Sequence, residues 1–172
     1  MAAIGDASAA KHHDVSAADA YLRAAAYYAT APSSVDGVDD PDVARQHVFA
    51  RHRRCFDACA ARLEPAAAKD EIPYENSTMP GYLFTPATGD SPRGTVVLNN
   101  ASDDAVTSML GMVKAALDRG YNALTLDGPG QQSVLLDQGI PFRPDWEHVT
   151  TPIIDFRGDA PPRGDGHRAA DG

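Results

Sequence analysis

With 172 residues, 43% of them apolar, the chain is long enough to bury one core, and a formal charge of −9 argues against a general nucleic-acid binder, which needs clustered Lys and Arg. No eighteen apolar residues run together and no basic start precedes an apolar block, so neither a membrane span nor a secretory leader is expected. Two cysteines, Cys55 and Cys59, stand four apart on one helix face rather than in a disulfide framework, which points to a reducing, cytoplasmic compartment.

Residues 1–15 are small and polar and read as a flexible terminus, its Lys11-His12-His13 cluster included. Ser16-Ala17-Ala18-Asp19 fits a capping box and predicts a helix from Ala17 to Ala29. After a turn-rich break, Asp40 followed by Pro41 reads as an N-cap with proline in the first helical position. Val48, His52, Cys55, Phe56, Cys59 and Leu63 then recur at spacings of three and four, an apolar stripe that must pack on something, and Pro65 ends it. His52, Cys55 and Cys59 lack an evident fourth metal ligand, so they are read as core, and Arg51, Arg53 and Arg54 as a solvated face. Residues 16–66 thus form a helical segment, a cap packed on the domain C-terminal to it.

The period changes at Glu71. EIPYE, a turn at Asn76-Ser77-Thr78, and MPGYLFTP predict a hairpin, which Pro73 and Pro80 place near a sheet edge. A turn-rich stretch, Ala87 to Gly94, leads into Thr95-Val96-Val97-Leu98, a short apolar run of the kind buried on both faces. A helical pattern comes next, with Val106, Leu110, Val113 and Leu117 facing inward and Gly120 as its stop, and then a second apolar run, Tyr121 to Leu126. Strand, helix, strand is a βαβ unit, so the fold class is α/β. Residues 132–142 read as an irregular excursion, and Pro144 to Phe156 as a helix with Trp146, Val149, Ile153 and Ile154 inward and a kink or early end at Pro152. The core thus spans residues 70–156.

Ligands of such sheets bind beyond the carboxyl ends of the parallel strands, which here are the loops 99–104 and 127–132. By themselves these loops have plain structural readings. Ser102 can cap the helix after it, with Asp103 and Asp104 complementing its dipole, and Asp127-Gly128-Pro129-Gly130 is a common turn. A third reading takes DGPGQQ as the phosphate loop of a small nucleotide-binding α/β domain, against which neither the G-x-G-x-x-G spacing nor a Lys-Ser/Thr pair is present and no helix start is evident.

The segments GTVVLNNASDD, LDRGYNALTLDGPGQ and LLDQGIPFRPDWEHVTTPIIDF together resemble the α/β-hydrolases with an N-terminal helical cap, in the group that contains dihydroxypseudooxynicotine hydrolase, fungal polyketide-shortening hydrolases and fermentation-respiration switch proteins. The resemblance implies helical cap elements, an edge hairpin and an incomplete α/β-hydrolase sheet. It also implies a small-molecule carbonyl substrate, no cofactor or metal, and attack by an elbow serine on an ester, amide or carbon–carbon bond next to a carbonyl. Asn100, Ala101 and Ser102 match the loop that supplies an oxyanion-hole N–H, although relatives commonly carry glycine at the first two. Asp127, Gly128, Pro129 and Gly130 match the loop at the active-site edge.

No G-x-S-x-G occurs, and Ser102, Ser108, Ser133 and His148 lack the context of a nucleophile or base, so no catalytic residue is assigned. Residues 157–172 contain no Val, Ile, Leu, Met or aromatic residue and read as a disordered tail, so the chain is expected to be an inactive N-terminal portion. The alternative is a short non-catalytic protein that binds a partner or a full-length homologue. An uncovered sheet edge would favour self-association in either case.

Overall fold

The computed structural model describes residues 1–87 and 94–159 and contains one mixed four-stranded sheet. Most of the turn expected between Ala87 and Gly94, and the tail from residue 160, lie outside the described residues. Three helices precede the sheet: α1 (Ala2–Ala9), α2 (Asp14–Thr30) and α3 (Pro41–Ala60). The strands are β1 (Ala68–Tyr74), β2 (Ser77–Phe84), β3 (Thr95–Asn99) and β4 (Asn122–Leu126), with α4 (Leu110–Leu117) crossing from β3 to β4. Two helices end the described chain, α5 (Gln132–Leu136) and α6 (Glu147–Asp159).

The sheet order is β1-β2-β4-β3. The hairpin pair and the β2–β4 pair are antiparallel, while β3 and β4 run parallel, as the βαβ reading requires. Each face of the sheet carries its own core. On one side Tyr82, Phe84 and Ala123 pack under α2, α3 and α4, with the Phe56 and Tyr82 rings edge to face at 4.8 Å. On the other, Ile72, Met79, Leu83, Leu124 and Leu126 meet Val134, Val149 and Ile153 from α5 and α6. The N-terminal helices therefore share a core with the sheet.

The Asp40 cap forms as expected, its carboxylate accepting from the Val43 N–H at 3.2 Å, and the α3 stripe is buried at His52, Cys55, Phe56 and Cys59. Gly120 stops the α4 region at φ 79°. Other local readings are corrected. The terminus expected to be flexible carries α1, held because Gly5 lies against the Tyr21 ring and Asp6 accepts from the Tyr21 hydroxyl and from Arg54, both at 2.7 Å. The Ser16 capping box does not form: α2 starts at Asp14, three residues before the expected Ala17, and Asp19 pairs with Arg23 at 3.1 Å instead. α3 ends at Ala60, five residues before Pro65.

In the hairpin the turn is Glu75-Asn76, with Glu75 at φ 48°, so β2 begins at Ser77. Pro73 lies on the edge strand β1, but Pro80 lies on the interior strand β2. It is tolerated because the β2–β4 register starts one residue later, at Gly81↔Leu126. β3 is only half-buried and forms an edge, not the strand covered on both faces that its apolar run predicted.

The excursion after residue 131 contains the short helix α5. In α6, Val149 and Ile153 face inward, whereas Ile154 is 65% exposed, because residues adjacent in a helix point about 100° apart. α6 runs through Pro152 and reaches Asp159, three residues into the expected tail. Among the described residues no helix is long and apolar enough to cross a membrane.

Candidate functional site

β4 ends in a buried carboxylate. Its apolar residues run to Leu126, and the next residue, Asp127, is 0% exposed. The chain then turns back on itself: the Gln131 N–H donates to the Gly128 carbonyl at 3.0 Å, Pro129 and Gly130 fill the two central positions, and Gly130 sits at φ 77°. Proline followed by a positive-φ glycine is the signature of a type II turn. A Cβ at Gly130 would lie 2.5 Å from backbone atoms of Phe142, so the close approach of that segment also requires glycine.

This turn swings α5 across the Asp127 carboxylate, which accepts from the Ser133 hydroxyl at 2.5 Å and its backbone N–H at 3.3 Å. The helix start that the phosphate-loop reading lacked is thus present, but a carboxylate of the chain itself occupies it. Two further donors arrive from other elements. The Asn100 amide, in the loop after β3, donates to Asp127 at 3.0 Å. Arg53 of α3 reaches it with Nη1 at 3.3 Å, its guanidinium also lying 5.1 Å from the centre of the Tyr82 ring. A carboxylate withdrawn from water needs such compensation, since an unpaired buried charge costs several kcal/mol.

Gln131 ties the same two loops together a second time. Its carbonyl accepts from Asn99 at 2.9 Å and from the Gly128 N–H at 2.7 Å, while its amide donates to Asn99 at 3.0 Å and to the Asn100 carbonyl. The loops after the two parallel strands are therefore one hydrogen-bonded unit, pinned to the helical segment through Arg53.

Within that unit the predicted residues separate. Asn100 is buried, its amide also donating to the Asp104 carbonyl at 3.0 Å. Ala101 and Ser102 are exposed, and no described residue accepts from either backbone N–H. Ser102 does not cap a helix: the Asp104 carboxylate accepts from the Ala105 N–H at 2.8 Å, ahead of a 3-10 turn at Val106–Met109 that leads into α4. Asp127 to Gly130 are buried and shape the loop from within. Of the other residues weighed from sequence, Ser133 donates to Asp127, Ser108 donates to the Ala105 carbonyl at 2.8 Å, and His148 lies on α6, 3.9 Å from Asp145.

Beside Ser102 the helical segment and the core enclose a small cleft of about 240 Å³, lined by Pro32, Ser33 and Arg45 on one side and Ser102, Asp103, Gln132, Leu135 and Leu136 on the other. A larger cavity of about 500 Å³ lies near the amino ends of β3 and β4, walled by Leu22, Leu63, Phe84, Leu110 and Leu117. It is remote from the loops.

Sequence reasoning misses Arg53 and Gln131. A cluster of three arginines reads as a solvated face, yet Arg53 stands four residues after Phe49 and three before Phe56, both buried, so helical spacing already places it beside the apolar stripe. Gln131 carries no comparable signal, because its partners come from another loop.

Comparison with known proteins identifies the family. The family described as Esterase FrsA-like matches residues 2–134. The hydrolase acrC of Aspergillus aculeatus is 32% identical over 172 residues, an alignment covering 88% of this chain and 39% of the relative. The α/β hydrolase xenA of Xenoacremonium sinensis is 35% identical over 165 residues, covering 91% and 37%, and the α/β hydrolase psoB of Aspergillus fumigatus is 42% identical over 91 residues, covering 49% and 20%. The chain thus spans between a fifth and two fifths of the length of these relatives. Among solved structures, that of 2,6-dihydroxy-pseudo-oxynicotine hydrolase superposes with a TM-score of 0.76 at 24% identity, covering 91% of this chain and 42% of that one. The chain belongs to the FrsA-like esterase family and corresponds to the N-terminal portion of an α/β-hydrolase.

Proposed function

We propose that these residues form the scaffold and oxyanion-loop portion of a serine hydrolase that acts on an ester, amide or carbon–carbon bond next to a carbonyl. The observation that carries this reading is the pair of backbone N–H groups at Ala101 and Ser102, without an acceptor among the described residues and held at the carboxyl edge of the sheet by the buried Asn100–Asp127 contact. Fixed donors of this kind stabilise the negative oxygen of a tetrahedral intermediate because they need no reorientation as charge develops. Asn100 positions the loop through its side chain, while Asp127 to Gly130 set the distance between the two loops.

The nucleophile, base and orienting acid are not supplied by these 172 residues, which contain no G-x-S-x-G, so the chain alone does not hydrolyse esters. The buried free thiols Cys55 and Cys59, whose pKa values burial pushes up, Cys59 to about 11, suit a reducing cytoplasmic location. A fluorophosphonate probe and a p-nitrophenyl ester test the catalytic part of the proposal. The purified chain is expected to take up no label and release no nitrophenol, whereas a chimera joining residues 1–159 to the remaining portion of the xenA hydrolase should do both. Labelling of the 172-residue chain itself, or an inactive but folded chimera, would count against the proposal.

A further inference from the structure

Each N–H group of the oxyanion loop is one half of a peptide plane. A trans peptide is flat, so its N–H points opposite to the carbonyl of the preceding residue, and a hydrogen bond to that carbonyl fixes where the N–H aims. The Ser102 N–H shares its plane with the Ala101 carbonyl, which accepts from the Asp104 N–H at 3.3 Å. The Ala101 N–H shares its plane with the Asn100 carbonyl, which accepts from the side-chain amide of Gln131. One direction is thus set by the loop's own backbone and the other by a side chain from the loop after β4.

Gln131 is well held for that task. Its N–H closes the Pro129-Gly130 turn by donating to the Gly128 carbonyl at 3.0 Å, and the residue is 2% exposed. Its side-chain nitrogen donates to the Asn100 carbonyl and to Asn99 Oδ1 at 3.0 Å, and its oxygen accepts from the Gly128 N–H at 2.7 Å and from the Asn99 amide at 2.9 Å. Every donor and acceptor of the amide is then engaged, so turning it over would break all of these bonds and set its oxygen against the Asn100 carbonyl. Burial strengthens the bond to that carbonyl by keeping water from competing for it.

We propose that Gln131 is a positioning residue for the hydrolase reaction: by clamping the Asn100 carbonyl it aims the Ala101 N–H at the oxygen of the tetrahedral intermediate. A donor already aimed needs no reorganisation as charge develops there. The Asn100 side chain and Gln131 have separate tasks, since the first ties the loop to Asp127 and the second fixes the plane of its main chain. This inference rests on the hydrolase reading of the chain.

Its test has two arms. In the 172-residue chain, ¹⁵N relaxation should give the Ala101 N–H an order parameter of about 0.85, and Gln131→Met should lower it below about 0.6 or broaden the signal by exchange, while Ser102 keeps its wild-type value. In the chimera of residues 1–159 with the remaining portion of the xenA hydrolase, kcat per folded molecule at pH 8 should fall about 10²-fold in Gln131→Met with KM nearly unchanged. Gln131→Glu should lose as much, because an ionised carboxylate still accepts from Gly128 and Asn99 but donates nothing to the Asn100 carbonyl. If Ala101 is as ordered in Gln131→Met as in wild type, if that variant keeps its kcat per folded molecule, or if Gln131→Glu restores kcat, the inference is wrong. Ala101 order that depends on Gln131, beside a folded chimera without esterase activity, would uphold the clamp and overturn the proposed function.

Discussion

Replacing Arg53 with methionine keeps much of the aliphatic stem and removes the only cation bonded to the buried Asp127 among the described residues. Breaking a buried ion pair by deleting one partner costs about 3–5 kcal/mol. The lower end applies here, because the contact is long at 3.3 Å and Asp127 keeps its bonds to Asn100 and Ser133. Loss of the guanidinium from the Tyr82 ring adds about 0.5–1 kcal/mol. A net loss of about 3.5–4 kcal/mol is expected, a large part of a typical domain's total. In urea unfolding at pH 7, with a slope of about 1–3 kcal/mol per molar, the midpoint should fall by about 1–4 M. Combining Arg53→Met with Asp127→Asn removes the orphaned charge, so the double variant should be clearly more stable than the sum of the single losses predicts. A change below about 0.5 kcal/mol for Arg53→Met, the value of a solvated surface residue, would refute the latch.

Three other perturbations probe separate parts of the structure. Gly130→Ala places a Cβ against Phe142 and forces a positive φ, so a loss of about 2–4 kcal/mol is expected in the same urea assay. Gly5→Val drives a side chain into the Tyr21 ring and should release α1, read as rapid tryptic cleavage at Lys11 with the main unfolding transition retained. His52 is buried with neither ring nitrogen bonded, and burial, aided by the neighbouring Arg53, lowers its pKa from 6.5 to about 4. The unfolded chain therefore binds more protons between these values, so this contribution is complete above about pH 6.5 and is lost toward pH 4, by up to about 3 kcal/mol. His52→Leu should flatten the stability profile in that window relative to wild type, and an unchanged slope would show that His52 is solvated.

The elements legible from sequence are those whose signals are local: the Asp40-Pro41 start, the α3 stripe, the strand–helix–strand run and the Pro129-Gly130 turn. The misread ones depend on partners distant in sequence. α1 has weak periodicity of its own and is ordered by Tyr21 and Arg54. The apolar run of β3 suggests burial on both faces, but composition does not reveal strand order, which leaves β3 at an edge. Pro152 ends no helix because its missing N–H costs one bond to the carbonyl of the exposed His148, a group that water can satisfy. At the site, the candidate loops are evident from strand ends alone, but the charge that pins them is not, since Arg53 and Asp127 are 74 residues apart.

The functional account turns on the Asn100 amide holding the loop that presents the Ala101 and Ser102 N–H groups. Its most direct test is kcat for ester hydrolysis by the chimera of residues 1–159 with the remaining portion of the xenA hydrolase, measured with and without Asn100→Ala. The account predicts a fall of about 10²-fold in kcat with KM nearly unchanged, the effect of a displaced oxyanion donor. An Asn100→Ala chimera that keeps full kcat would contradict it.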